Sequence, residues 1–179
     1  MNSLWSLVVV FLLCVTCSYA ANAVDVDTIC KNARNHSFCS NLLDSKFGAS
    51  GDLVSLTQYT IDVLRANVTN TVNLINKLIA QSGGNFNLTY HYNMCLTHFD
   101  IKKGALGSVE YAEELFKMGN YLAMIPTMES IAFNAWECLS GDTPSEPLYH
   151  DTSSLPIYAD IVMLVANIVH SILNYLTQV

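Results

Sequence analysis

The stretch from Leu88 to Ser140 constrains the fold most strongly, because it predicts two long helices joined by a tight turn at Gly119-Asn120. Cys95 lies 24 positions before Gly119, and Cys138 lies 19 positions after it. At a helical rise of about 1.5 Å per residue, the two cysteines lie about 36 and 29 Å from the turn. A tilt between the helices, or an irregular start of the second one, would absorb this difference. We therefore predict an antiparallel helical hairpin that a disulfide closes at its open end.

The first 20 residues have the pattern of a secretory signal peptide. An uncharged apolar core runs from Leu7 to Cys17, and Ser18-Tyr19-Ala20 supplies the small residues of a cleavage site. The core spans about 11 residues, whereas a membrane-spanning helix needs about 20. We expect cleavage after Ala20 or Ala23, which leaves residues 21–179 as one domain with a sizeable core.

Secretion gives the remaining cysteines and several asparagines a specific meaning. An even number of cysteines in an oxidising compartment predicts disulfides, and the four that remain allow three pairings. Three asparagines lie in Asn-x-Ser/Thr sequons and are therefore candidate N-glycosylation sites. The cysteines are Cys30, Cys39, Cys95 and Cys138, and the sequon asparagines are Asn35, Asn67 and Asn87.

The charge of the chain is negative and unevenly distributed. The formal net charge is −7, and no Lys or Arg follows Lys117, although six Asp and Glu residues do. This asymmetry argues against nucleic acid and against an anionic membrane as partners. It is compatible with a basic protein partner, and equally with a solvated acidic surface that binds nothing.

Apolar residues recur at helical spacing in four long segments, and no strand pattern competes with them. Gly104 and Gly107 weaken the second helix by about 1 kcal/mol each relative to Ala, and Pro126 either kinks the third helix or marks its start. The predicted helices run from Asp52 to Ala80, from Asn87 to Met118, from Tyr121 to Ser140 and from Leu155 to Leu176. Tyr90 is among the predicted core residues of the second helix.

Two shorter helices between Val26 and Leu43 form a small hairpin that a Cys30–Cys39 disulfide can close. Together the segments predict an all-α, up-down-up-down four-helix bundle (residues 51–179) with an N-terminal helical hairpin (residues 21–50) and two disulfides. A linker from Gly141 to Ser154 precedes the last helix. That helix is apolar enough to suggest a membrane span, but polar residues interrupt it, and we favour a core helix.

The sequence lacks the common catalytic fingerprints, namely G-x-S-x-G, the P-loop and the dinucleotide-binding motif. His91, Cys95 and His98 fall on one helical face at a spacing that could hold a metal. A disulfide-bonded Cys95 flanked by two histidines is the favoured alternative in an oxidising compartment. We therefore expect no cofactor and no metal, and a binding protein or inhibitor rather than an enzyme.

Several segments resemble the plant pectin methylesterase inhibitor and invertase inhibitor family. They are Ile29-Cys30, Phe38-Cys39 with Leu42, Cys95-Leu-Thr-His-Phe99-Asp100, Gly119-Asn120-Tyr121, Met128 with Ser130 and Ala132, Cys138, and Asp160 to Asn167. The resemblance implies the pairings Cys30–Cys39 and Cys95–Cys138. It also implies a secreted cell-wall inhibitor that docks one-to-one on an extracellular enzyme and blocks its substrate cleft.

The implied target is a cell-wall pectin methylesterase or, alternatively, a cell-wall or vacuolar acid invertase. Invertase inhibitors of the family often carry Pro-Lys-Phe near the turn, where this chain reads Lys117-Met-Gly-Asn-Tyr121, so the resemblance favours the esterase. The implied partner contacts are Thr97, His98, Asp100 and Ser140. Because two acids of the family's Thr-Cys-Glu-Asp run are missing around Cys138, a divergent bundle without inhibitory activity is a third hypothesis.

Overall fold

The structure is a computed structural model that describes residues 23–48, 50–141 and 150–178. The predicted signal peptide (residues 1–20) and residues 142–149 of the predicted linker lie outside the described residues.

Within the described residues the chain forms seven helices and two short strands. In chain order they are β1 (Ala23–Asp25), α1 (Val26–Cys30), α2 (His36–Phe47), β2 (Ser50–Asp52), α3 (Leu53–Gln81), α4 (Phe86–Phe99), α5 (Ala105–Lys117), α6 (Tyr121–Ser140) and α7 (Leu155–Leu176). Disulfides join Cys30 to Cys39 and Cys95 to Cys138. The prediction of a helical bundle with an N-terminal hairpin and two disulfides is confirmed.

The bundle has four positions, and α4 and α5 together fill one of them. Both α4 and α5 pack against α3 and against α6, while α7 packs against α3 and α6 as well. The order around the bundle is therefore α3, then α4 with α5, then α6, then α7. Neighbours in sequence are neighbours in space, which is the predicted up-down-up-down arrangement.

Apolar residues at helical spacing fill the centre of the bundle. Fully buried examples are Leu64, Val68 and Ile75 of α3, Val109 and Ala112 of α5, Met124, Ile131 and Ala135 of α6, and Val162, Val165 and Val169 of α7. The prediction that Tyr90 belongs to this core is wrong, because its side chain is 51% exposed. The buried face of α4 is formed by Tyr92, Cys95 and Phe99, and Tyr90 is turned away from it.

The prediction of one continuous helix from Asn87 to Met118 is also wrong. The Gly107 N–H donates to the Asp100 carbonyl at 3.3 Å, which spans seven residues where a continuous helix spans four. Ile101, Lys102 and Lys103 are thereby looped out, and we call these three residues the 101–103 loop. They shorten the axial path by about 4.5 Å, which is most of the difference of about 7 Å between the two cysteine arms. The loop absorbs most of what we expected a helix tilt or an irregular helix start to absorb.

Gly104 and Gly107 permit this loop by allowing two backbone segments to approach closely. A Cβ atom at Gly104 would lie 2.4 Å from the Asp100 nitrogen and 2.6 Å from the His98 oxygen. A Cβ atom at Gly107 would lie 2.3 Å from the Ile101 oxygen. No side chain fits at either position, so these glycines are a requirement of the loop and not only a weakness in a helix.

The N-terminal hairpin, α1 with α2, packs on the bundle. Its apolar residues, among them Ile29 and Leu43, form a second buried cluster with Ile168 and Ile172 of α7. The Arg34 backbone N–H donates to Asn167 Oδ1 at 3.0 Å, and the Arg34 side chain lies 3.5 Å from Asp160. The hairpin therefore covers a side of α7 that the bundle leaves open.

The expectation of no strands is wrong for two three-residue segments. β1 and β2 pair antiparallel, with Val24 opposite Gly51. Asp25 and Asp52, which end the two strands, also cap the N-termini of α1 and α3. The pairing ties the start of the hairpin to the start of the bundle, and segments this short carry no readable alternation.

Among the described helices, α7 is the one that is long and apolar enough to cross a membrane by length and composition. Within its most apolar window, 56% of the residues are buried inside the structure. The bundle core covers one side of α7 and the hairpin covers another. Burial against two layers of protein accounts for the apolar character of this helix.

Deleting residues 101–103 should join α4 and α5 into one helix, because Asp100 and Gly107 would then be four positions apart. We expect the deletion variant to unfold cooperatively, with a midpoint within a few degrees of the parent. In the full chain, Gly107→Ala should cost about 1–3 kcal/mol, since its Cβ overlaps the Ile101 carbonyl. Circular dichroism melts measure both effects. Loss of a cooperative melt on deletion, or a neutral Gly107→Ala, would contradict the looped-out geometry.

Candidate docking face

On one side of the bundle, a disulfide and a histidine–glutamate contact connect α4 to α6. The Cys95–Cys138 disulfide joins the helices, and both cysteines are buried. One turn further along, His98 Nδ1 lies 3.4 Å from Glu137 Oε2. We call the surface around these links the α4–α6 face, and it comprises Thr97, His98, Asp100, the 101–103 loop, Phe133, Trp136, Glu137 and Ser140.

The four predicted partner contacts all belong to this face, because three of them follow Cys95 closely and Ser140 follows Cys138 by two positions. Thr97 is exposed, and its hydroxyl donates to the Asn93 carbonyl at 3.2 Å. The Ser140 hydroxyl donates to the Trp136 carbonyl at 2.9 Å. The His98 side chain is only 12% exposed, since it packs beside Glu137. Partner contact by these residues remains a prediction.

The Asp100 carboxylate turns towards its own loop. Its Oδ1 accepts backbone N–H groups from Lys102 and Lys103 at 2.9 Å each and from Gly104 at 3.1 Å. These hydrogen bonds, the one from Lys103 above all, lower the pKa of Asp100 below its ordinary value. Asp100 thus orders the backbone, and the neighbouring side chains of the 101–103 loop are the ones exposed to solvent.

An exposed aromatic pair on α6 completes the face, and sequence reasoning missed it. Phe133 is 54% exposed and Trp136 is 50% exposed, and their rings stack with centroids 5.7 Å apart. Both lie off the buried stripe of α6, which includes Met128, Ile131 and Ala135. In the sequence, the available sign of this pair is that two aromatic residues of α6 fall outside the helical period of its buried residues. Partly exposed Trp and Phe side chains are typical anchors of protein interfaces.

A polar cluster beside the face anchors the start of α7 to α4. Asp151 accepts hydrogen bonds at Oδ1 from the Tyr92 hydroxyl at 3.3 Å and the Ser153 N–H at 2.8 Å. Its Oδ2 lies 3.4 Å from His91 Nε2, and both side chains are nearly buried. Desolvation by burial lowers the pKa of His91, although the charge of Asp151 opposes the shift.

The arrangement of His91, Cys95 and His98 does not favour the metal-site hypothesis. Cys95 is bonded to Cys138, and the two histidines face different carboxylates, Asp151 and Glu137. In the described parts of the chain, no group of three or more His, Cys, Asp and Glu side chains could hold a metal ion. This side of the bundle is held together by the Cys95–Cys138 disulfide and by the His98–Glu137 contact.

Comparison with known proteins gives the family. The chain is 30% identical over 129 residues to pectinesterase inhibitor 1 of Arabidopsis thaliana, and the match covers 72% of this chain and 70% of that protein. The chain belongs to the pectinesterase inhibitor family. No family model matches the sequence.

Solved structures of pectin methylesterase inhibitors share the fold of this family member. Mutant form A of an inhibitor from Arabidopsis matches with a TM-score of 0.69 at 26% identity, covering 83% of this chain and 95% of that one. An inhibitor structure from Arabidopsis thaliana matches with a TM-score of 0.60 at 23% identity, covering 83% and 93%, and supports the fold alone. These relatives are named as inhibitors and not as enzymes, in agreement with our expectation.

The three sequons of this family member differ in their surroundings. Asn87 is exposed in the first turn of α4, and Asn35 is exposed while its Oδ1 accepts the Phe38 N–H at 3.0 Å. Asn67 lies within α3, and its Nδ2 donates to the Val63 carbonyl at 2.8 Å. A glycan is attached through Nδ2 and replaces one of its two hydrogens, so modification of Asn67 would compete with this hydrogen bond. Glycosylation at all three sites stays a prediction.

The lowered pKa of His91 predicts lower stability in acid. The unfolded chain takes up a proton at His91 more readily than the folded chain, so the stabilisation present above the ordinary pKa of 6.5 is lost as the pH falls from that value through the lowered pKa of the folded chain. Between about pH 7.5 and 5.5 we expect the unfolding midpoint of the wild type to fall further than that of His91→Gln. Differential scanning calorimetry at several pH values measures this, and parallel curves for both proteins would refute it.

Proposed function

We propose that this protein inhibits a plant pectin methylesterase by binding the enzyme through the α4–α6 face. Membership of the pectinesterase inhibitor family carries the choice of partner, because the matched relatives are named as inhibitors of this enzyme. In this proposal one inhibitor covers the substrate cleft of one esterase.

The physical properties of the α4–α6 face support a role in binding. The Cys95–Cys138 disulfide and the helical backbone on either side hold the face rigid, so little conformational entropy is lost on docking. Phe133 and Trp136 supply exposed aromatic area, with Glu137 and Ser140 beside them on α6. An aromatic centre with polar residues at its edge is the usual anatomy of a protein interface.

We propose that the protein is secreted and acts in the plant cell wall. Its two disulfides fit an oxidising compartment. The apolar N-terminal segment with a small-residue cleavage site supports the same location.

The proposal is tested by titrating purified mature protein, with its disulfides intact, against several plant pectin methylesterases at mildly acidic pH. Methanol release from methylated pectin measures activity. We expect inhibition that saturates at one inhibitor per enzyme, while sucrose hydrolysis by an acid invertase continues unchanged. Unchanged methanol release with every esterase would contradict the proposal, and inhibition of the invertase alone would reassign the target.

Trp136→Ala should weaken inhibition at least about tenfold, because truncating a central aromatic anchor of an interface costs about 2 kcal/mol or more and about 1.4 kcal/mol corresponds to a factor of ten. Tyr111→Ala is the matched control, since Tyr111 is 51% exposed and Trp136 is 50% exposed, but Tyr111 lies on α5. Both variants should melt like the wild type. The measurement is the inhibition constant of each variant, and equal inhibition constants would place the docking surface elsewhere.

A further inference from the structure

The 101–103 loop presents three exposed side chains on a protrusion that a continuous helix would not have. Ile101 is 48% exposed, and Lys102 and Lys103 are both exposed. These two lysines are the only adjacent basic residues in the sequence. Among the described residues no salt bridge engages either lysine, whereas Arg34 pairs with Asp160 and Arg65 pairs with Glu113. The loop lysines are therefore free of salt bridges within the described residues, and the charge of Lys102 acts on Asp100 only at longer range.

The conformation of the loop is fixed before any partner arrives. Three N–H groups bond to Asp100 Oδ1, and the Gly107 N–H bonds to the Asp100 carbonyl. The close approach of Gly104 and Gly107 to the backbone of residues 98–101 removes room for movement. A preformed loop loses little entropy on binding, so its side chains act as a specific contact.

The charge of the loop contrasts with that of the adjacent helix. No Lys or Arg follows Lys117, so the charged residues of α6 are the acids Glu129 and Glu137. Glu137 belongs to the α4–α6 face and lies beside His98, whereas Glu129 lies 4.0 Å from His170 of α7. The α4–α6 face thus combines the two loop lysines with the acids Asp100 and Glu137. A complementary surface must place carboxylates opposite the loop, because like charges at close range are costly to bring together.

We infer that the 101–103 loop is a specificity-determining contact of this inhibitor, which selects esterases that present carboxylates opposite Lys102 and Lys103. The inference rests on the proposed function, since the loop belongs to the proposed docking face. Asp100 is then a positioning residue that acts through the loop and does not itself meet the partner.

A protein surface fits the loop better than an anionic polysaccharide does. De-esterified pectin also carries carboxylates, but the loop places the exposed apolar side chain of Ile101 directly beside its lysines. Mixed apolar and charged contact is typical of protein interfaces. The experiment must therefore distinguish binding to polygalacturonate from binding to an esterase.

The first test uses the double variant Lys102→Glu/Lys103→Glu and an esterase that the wild type inhibits. We expect the dissociation constant to rise about tenfold or more, because attraction becomes repulsion. Lys46→Glu/Lys77→Glu is the control, since it changes the net charge equally at exposed lysines of α2 and α3. Calorimetric titrations with the esterase and, separately, with polygalacturonate measure the constants at low and high salt, and the loss of esterase affinity in the loop variant should shrink at high salt.

Each outcome of this test decides something. Equal losses in both double variants would show a net-charge effect and overturn the inference, as would wild-type affinity in the loop variant. Loss of polygalacturonate binding with unchanged esterase affinity would assign the loop to the polysaccharide. If the wild type inhibits no esterase, the proposed function fails and the inference falls with it. If the wild type inhibits the esterase and the loop variant binds it equally well, the inference fails while the proposed function stands.

The second test examines the positioning role of Asp100. Asp100→Asn keeps an oxygen that can accept the loop N–H groups, whereas Asp100→Ala removes it. We expect near-wild-type affinity for Asp100→Asn and a loss of several-fold for Asp100→Ala, with faster hydrogen exchange at the Lys102, Lys103 and Gly104 amides in the Ala variant alone. Equal losses in both variants, with slow exchange in both, would show that the Asp100 charge meets the partner directly and would overturn the positioning role.

Discussion

The covalent bond between Cys95 and Cys138 is the constraint from which the arrangement of this bundle follows. It closes a segment of 43 residues, which contributes about 4 kcal/mol in the chain-entropy model. It also joins two helical arms of unequal length that meet at one turn, so the difference in axial length must be absorbed. The 101–103 loop removes most of that difference, Gly104 and Gly107 give it room, and Asp100 fixes its backbone. The most distinctive surface feature of the molecule is thus a consequence of the disulfide register.

Local sequence pattern was enough to predict those helices whose burial follows a simple period. The bounds of α6 and α7 agree with the prediction, and those of α3 differ by one residue at each end. The break between α4 and α5 was not predictable in this way, because the propensity of glycine reports only its cost in a helix. Gly104 and Gly107 allow a close approach between backbone segments, and this requirement becomes visible only when a Cβ atom is placed at either position in the folded chain. The β1–β2 pairing was missed since three residues carry no period.

The region of the candidate site was predictable, but the roles of its side chains were not. The cysteine register alone brings Thr97, Asp100 and Ser140 to one side of the bundle. It does not show that the Asp100 carboxylate turns towards its own loop, because that depends on the looped-out backbone. Nor does it single out Phe133 and Trp136, since α6 is rich in apolar residues and the two differ only in the direction they face. Orientation around a helix becomes meaningful once the neighbouring helices are placed.

Net charge and local charge act at different distances in a molecule like this one. The Debye length at physiological ionic strength is about 8 Å, so the net charge of −7 biases approach towards basic surfaces, while individual lysines matter only near contact. An approach of this kind brings Lys102 and Lys103 against a surface that is positive on average. Because backbone hydrogen bonds hold the loop in place, it cannot turn aside to relieve repulsion. In the role that we infer for it, the loop excludes partners as well as selecting them, because specificity of this kind comes from a rigid repulsive element as much as from attraction.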